Sequence, residues 1–402
     1  MKLYADLHLH SHYSRATSRE MNLEGMSKYA RLKGINLLGT GDFQHPKWLE
    51  ELKGKLRMED GFYKYNDVYF ILQTEISSIY SHNGKTRKVH HVVLAPDLDT
   101  AEKLQKEFTK WGRIDYDGRP IFGKSSKEVV KTVTGVDSRC EVIPAHIWTP
   151  WFGLFGSHSG YDSMKECYEE EIKHIHALET GLSSDPPMNW RIRELDNYNL
   201  VSNSDSHSPW PWRMGRECNI FDVNSYDSLI RAIRTGQGLL GTIEVDPAYG
   251  KYHWDGHRNC NFSSSPARTK ELKGICPVCK NPLTIGVEHR VEELADRPAG
   301  YKPEKAKPFK ELIPLAEIIA RFIGKGVNTK AVWNKYMEWI DRFGNEFYIM
   351  LDAPEEEILS FDRKIGSAIL MTRKQEVKVK PGFDGEYGVP VFGNQEKLSN
   401  FL

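Results

Sequence analysis

The sequence has little cysteine: six residues in 402. That is too few to staple a chain of this length with disulfides, and three of them stand in one compact cluster with metal-ligand spacing. A reducing, cytoplasmic setting is expected. No apolar run approaches the roughly 18 residues that a membrane helix needs. With 39% hydrophobic residues and a mean hydropathy of −0.55, a soluble chain without a membrane partner is expected. Residues Met1 to Asp6 carry no apolar leader and enter what reads as a buried strand, so secretion is not expected. An excess of charge of one sign is also missing, because 55 Lys+Arg balance 55 Asp+Glu. Any nucleic-acid binding must therefore come from a local patch. The length itself excludes one ordinary core and predicts two or three domains.

Through about residue 245, short β-branched apolar runs alternate with segments of helical period, the signature of a parallel α/β architecture. Leu3 to Leu9 reads as a strand. Asn22 caps a helix through Leu23, Met26, Tyr29 and Ala30, which Gly34 stops. Further strands are expected at 35–39, 68–75, 89–95, 141–146, 175–179, 200–203 and 239–245. The composition changes at Asp246-Pro247, where an aromatic segment bearing Cys and His runs to about Arg297. A Lys/Pro-rich linker and two amphipathic helical runs follow, with ten Lys/Arg against five Asp/Glu between Arg297 and Arg342. The expected organisation is thus an α/β domain over 1–245, a small module over 246–297 and a basic, mainly helical domain over 298–402. Within the last of these, residues 376–393 suggest a short β extension.

Metal-ligating residue types gather at the ends of the expected strands: His8 and His10, Asp42, Glu75, His91, His146, Glu179, then Asp205 and His207. In a barrel of parallel strands those ends converge on one face. His8-x-His10 and Asp205-x-His207 place two donors on the same side of extended chain. Mixed imidazole and carboxylate donors suit Zn, Mn or Fe, and eight or nine exceed the needs of one ion. Two or three catalytic divalent ions are expected, zinc foremost with Mn or Mg as alternatives. Clustered ions make bound water acidic and neutralise phosphoryl oxygens, so the expected substrate is a phosphate ester.

The runs Asp6-Leu7-His8-Leu9-His10-Ser11, Gly39-Thr40-Gly41-Asp42, Thr74-Glu75, His90-His91-Val92-Val93-Leu94, Ala145-His146 and Ser204-Asp205-Ser206-His207 resemble, in order, the motifs of the polymerase and histidinol phosphatase (PHP) domain. The resemblance implies a distorted seven-stranded β/α barrel and a trinuclear metal site. Two departures stand out: Asp42 occupies a position where many members have His, and no later ligand is obvious near Ser14 or Arg15. Of His90 and His91, the second directly precedes the apolar strand core and is taken as the ligand.

His257-x-x-Cys260 and Cys276-x-x-Cys279 form two knuckles separated by a 15-residue loop, which fits a structural Cys3His zinc ribbon. His253 and His289 are alternative fourth ligands. With the ribbon and basic arm added, Ala145-His146-Ile147-Trp148-Thr149-Pro150-Trp151, the run 251–260 and the run 282–287 resemble the endonuclease Q family of DNA-repair enzymes over essentially the whole chain. That resemblance implies nicking 5′ to hypoxanthine, uracil, xanthine or an abasic site in damaged DNA.

A nuclease that selects a base must expose it, and deaminated bases pair poorly. Trp148, Trp151, Phe152 and Tyr161 after His146, together with Glu179 and Trp212, are the expected substrate-binding residues. Gln395, Leu398, Phe401 and Leu402 resemble the peptide that docks repair enzymes on a sliding clamp. The competing readings are a PHP phosphatase of small esters and a non-catalytic DNA-binding protein.

Overall fold

The computed structural model describes residues 1–392; the clamp-peptide-like run Gln395 to Leu402 lies outside the described residues. The first unit follows its local signals. Strand Lys2–Asp6 leads to helix Leu23–Lys33, where the Asn22 side chain accepts from the Gly25 amide and Gly34 closes the last turn at φ 96°. Strand Leu37–Gly39 then runs parallel to Lys2–Asp6 and to Val68–His82.

Beyond this point the chain departs from the expected parallel order. Val68–His82 and Lys85–Ala95 form one long antiparallel hairpin. It turns at Asn83-Gly84, whose φ values of 51° and 73° define the two-residue turn that matches strand twist. Lys85–Ala95 pairs antiparallel with Glu141–Pro144, and Lys2–Asp6 pairs antiparallel with Cys218–Asp222, a strand the apolar pattern did not single out. The parallel pair Ala177–Glu179 and Asn199–Val201 forms its own short sheet. Side-chain amides bridge that pair to the main sheet. The Leu7 amide donates to Asn203 Oδ1 (2.8 Å), the Ser202 amide to Asn219 Oδ1 (2.9 Å), and Asn219 Nδ2 to the Ser202 carbonyl (2.8 Å). The product is a distorted α/β barrel whose interior is filled by Leu3, Ala5, Leu7, Val92, Ile143 and Val201.

After strand Leu239–Glu244 come the hairpin Asp255–His257 and Phe262–Ser264 and the helix Val287–Leu294. Strand Phe309–Glu311 returns to pair with Leu239–Glu244. Helices Leu315–Ile323, Lys330–Phe343 and Arg363–Arg373 bury Leu315, Ile319, Tyr336, Trp339 and Ile369. The short pair Lys378–Lys380 and Val389–Val391 is the anticipated β extension. It folds back on the ribbon region, with the Trp254 amide donating to the Gly382 carbonyl (3.0 Å). Lys33 Nζ, buried on the first helix, donates to Glu346 Oε1 (2.6 Å) and the Pro211 carbonyl (2.7 Å), joining the barrel to the C-terminal helices. No helix among the described residues is long and apolar enough to cross a membrane.

Candidate metal centre

His8 and His10 extend the first strand into the barrel mouth, and the neighbouring Leu7 and Leu9 are buried in apolar packing. His10 Nε2 lies 3.1 Å from both Glu75 Oε2 and Asp205 Oδ1. His8 Nε2 is 3.6 Å and 3.5 Å from the same two oxygens, and it is buried without a hydrogen-bond partner. These four donors converge within 4.8 Å of one another. A second group forms on the other side of Glu75: its Oε1 lies 2.5 Å from His90 Nδ1 and 3.2 Å from His146 Nε2. Glu75 therefore offers one oxygen to each group, the geometry of a carboxylate bridging two cations.

The rings are held from behind. His8 Nδ1 donates to Glu179 (3.1 Å) and His10 Nδ1 to Asp42 Oδ1 (3.0 Å), which leaves each Nε2 facing the cluster. Such carboxylate–histidine pairs fix the tautomer that a metal requires. Burial disfavours charged imidazoles, yet Glu179, Asp205 and Glu75 hold His8 well above the ordinary histidine range, and Asp42, Asp205 and Glu75 do so for His10. Burial would raise Glu75, but His90, Arg119 and His8 pull it well below the carboxylate range. The carboxylates thus draw protons onto the imidazoles, and a divalent ion would replace those protons. The donor set fits such ions. Asp42, His146 and Asp205 all hold the left-handed backbone region, at φ 46°, 30° and 48°, a strain typical of sites where tertiary packing aims a side chain.

Several expected site residues lie elsewhere. Opposite residues of an antiparallel pair share a face, and Ser77 pairs with His90 while Ile76 pairs with His91. His90 therefore stands on the Glu75 face. His91 points away, fully buried with neither nitrogen partnered, against the Tyr168 ring at 5.9 Å, and burial pushes its pKa down to about 3. His90, and not His91, stands in the donor group with Glu75 and His146. Asp42 is saturated by His10, the Ser11 amide and hydroxyl and the Ser14 hydroxyl, so it backs His10 and belongs to neither donor group. His207 also lies outside both groups. Its ring lies tilted 4.4 Å from that of His10, with Nδ1 3.1 Å from the Asp205 carbonyl.

Glu179, expected to touch substrate, is fully buried between His8, the His146 amide and Asn203. Trp148 is buried and donates to Asn189 Oδ1 (2.8 Å). Tyr161 is buried beneath the Arg87 guanidinium, 4.0 Å above its ring. Trp212 is buried and stacked on Trp210. Of the expected aromatic contacts, Trp151 is 38% exposed and stacks on His158 at 4.5 Å, and Phe152 lies beside the His90 ring at 4.6 Å. One functional residue had no sequence signal. Arg119, in the loop before Ile121–Phe122, donates to Glu75 Oε2 (3.2 Å) with a third of its side chain exposed.

Some distance along the chain, His257, Cys260, Cys276 and Cys279 bring their donor atoms within 4.8 Å. His289 instead pairs with Asp255 (2.6 Å) and His253 with Glu288 (3.2 Å), which leaves His257 as the fourth donor. Burial would raise the Cys276 thiol, but the amides of Cys279 and Val278 bring it down to about 7.

The barrel and its two donor groups, which share Glu75, are suited to hold divalent cations. Residues 314–376 match the MJ0043 C-terminal domain family. The chain is 34% identical over 272 residues to the uncharacterized protein MJ0043 of Methanocaldococcus jannaschii, an alignment covering 66% of this chain and 33% of that protein. It thus spans about a third of the length of that relative. It is 28% identical to the uncharacterized protein YqxK of Bacillus subtilis, over 96% and 98% of the two chains. Among solved structures it is similar to the lesion-specific endonuclease PfuEndoQ from Pyrococcus furiosus, with a TM-score of 0.88 and 33% identity over 100% of this chain and 98% of that one. It is equally similar to endonuclease Q in complex with a 27-mer duplex bearing an abasic lesion, with a TM-score of 0.87 and 33% identity over 100% of both chains. The chain belongs to the endonuclease Q family.

Proposed function

We propose that the chain is a DNA repair endonuclease that hydrolyses the phosphodiester 5′ to a deaminated base (hypoxanthine, uracil or xanthine) or an abasic site. The observation that carries this reading is Glu75, with one oxygen in each of two donor groups, beside Arg119 at an accessible mouth. Full-length likeness to a lesion-specific endonuclease supports it. His8, His10, Glu75 and Asp205 would hold one divalent ion, and Glu75, His90 and His146 a second. Ions bound there supply Lewis acidity, a more acidic water and neutralised phosphoryl charge.

The protein's own groups do the rest. The Arg119 guanidinium anchors a non-bridging phosphate oxygen by charge-assisted hydrogen bonds. Asp42 and Glu179 keep the imidazoles aimed. His207, at the mouth with Nδ1 held by the Asp205 carbonyl, directs Nε2 toward the substrate. Trp151 and Phe152 line the side on which an extruded base would stack, at a cost lowest for poorly paired bases. A structural zinc on His257, Cys260, Cys276 and Cys279 shapes the adjoining ribbon, and the basic helical part holds the duplex.

The test is incubation with Mn, Mg or Zn and labelled duplexes containing uracil, hypoxanthine, an abasic site or no lesion, beside the Asp205→Asn variant. Cuts should map to the 5′ side of the lesion. Asp205→Asn should lose about 100-fold or more in turnover, because an amide ligates a hard cation poorly, while keeping DNA affinity. Equal cutting of undamaged duplex, or hydrolysis confined to small phosphate esters, would overturn the reading.

A further inference from the structure

A cavity of about 590 Å³ opens where the barrel rim, Tyr249, helix Leu315–Ile323 and the C-terminal β extension meet. Arg213, Arg216, Arg321 and Lys325 line it. Among the described residues none of these four side chains has a carboxylate or hydrogen-bond partner, in a protein where Arg139, Arg290 and Arg297 are all paired. Of the four lining cations, Arg216 buries its Nε without a partner, as does the lining residue Tyr249 its hydroxyl. The lining contains one carboxylate, Glu317. Burial pushes its pKa up, although Arg216 and Arg213 pull it back, so one carboxylate faces four cations. Burial and Arg213 push the Arg216 pKa down against the opposing pull of Glu217 and Glu317.

Arg213 and Arg216 are half-buried beside one another, a crowding that a bound anion would relieve, and the exposed Arg321 and Lys325 extend the positive edge toward solvent. The opposite wall, with Leu182, Val245, Val327 and Pro390, is apolar. A charged edge and an apolar wall suit a ligand with a phosphate at one end and a flat or sugar-like body at the other, and the volume is that of an ordinary small-ligand site. The place is also informative. Leu182 follows Glu179, Val245 follows strand Leu239–Glu244, and Arg213 lies shortly after His207. The cavity is thus lined by segments that follow metal-centre residues in sequence but contains none of those residues.

We propose that this cavity binds a nucleotide phosphate, supplied by the DNA strand that continues from the barrel mouth. Arg213, Arg216, Arg321 and Lys325 surround the phosphate, and the Tyr249 hydroxyl donates to it. The choice of DNA as source rests on the function proposed above. The phosphate chemistry does not, so failure of cleavage and failure of this site are distinguishable.

The test uses Arg321→Gln/Lys325→Gln, two exposed positions, with Arg216→Gln as a second variant. Binding of a short undamaged oligonucleotide, read by fluorescence anisotropy across a salt series, avoids any need for cleavage. The double variant should bind about tenfold more weakly, with a log K against log salt slope shallower by roughly one unit. In a thermal-shift arm without DNA, thymidine 5′-monophosphate is the probe. A rise in Tm for the wild type that the double variant lacks would make a free nucleotide the source. A change confined to the DNA slope would make the strand the source. Both variants should melt no lower than wild type, since each removes like-charge crowding. Unchanged slope and affinity with no probe-dependent shift would overturn the site, as would a lower Tm without any loss of binding.

Discussion

His90 and His91 differ by one position and stand in opposite environments. His90 meets Glu75 and His146, while His91 is an unpartnered imidazole packed on Tyr168. Their substitutions should separate cleanly. His90→Ala should reduce turnover by about 100-fold through loss of a metal-facing donor. His91→Leu exchanges an unsatisfied polar ring for an apolar side chain, so it should hold activity within a factor of about 3 and leave stability unchanged or higher. Steady-state cleavage and a urea melt of both proteins check this; equal losses would reverse the assignment. The sequence showed that a His-His pair was present but not which ring turns inward, because the choice depends on the pairing partner across the hairpin. Arg119 was invisible for a related reason. A lone arginine in a loop acquires meaning only when Glu75, far back in the chain, lies within 3.2 Å.

Elements differ in how much of their structure is local. The first helix is bounded by its own cap residues, and the ribbon knuckles are encoded by spacing of two, so both were legible in the sequence. The long hairpin was not, although Asn83-Gly84 is a strong turn signal, because its strands extend past the barrel and carry Glu75 in mid-strand and not at an end. The ribbon region has few buried apolar residues, so its metal group should supply much of its order. Cys276→Ser/Cys279→Ser should increase hydrogen exchange and protease cutting across 255–285. The change should reach the C-terminal β extension, which leans on the region through Asp384 to the Arg258 amide (2.8 Å) and Thr284 (2.7 Å). Barrel amides should keep their protection. Exchange mass spectrometry decides, and unchanged protection over 255–285 would show that the module folds without metal.

For the whole molecule, the buried Lys33–Glu346 pair is the link between the barrel and the C-terminal helices. Glu346 also accepts from the Leu315 amide (3.1 Å) and the Tyr336 hydroxyl (3.0 Å), while Lys33 reaches the carbonyl of Pro211, between Trp210 and Trp212. Glu346→Ala would strand a buried ammonium and two further donors. The expected cost is about 3–5 kcal/mol, measured by denaturant unfolding, with the barrel and helical block losing their common transition. A change under about 1 kcal/mol would show that the link carries little of the assembly.

The sequence by itself determined the metal-ligating residue types, the capped first helix, the ribbon knuckles and the family resemblance, because each rests on residue types at short spacing. Only the tertiary structure decided that the barrel is partly antiparallel, that His90 replaces His91, and that Asp42 and Glu179 stand behind the histidines. It also decided that Trp148, Tyr161 and Trp212 are packed away, leaving Trp151 exposed. The physical reason is common to all of these. Strand register and burial are settled by partners dozens to hundreds of residues away, and a one-residue difference in register turns a side chain to the opposite face.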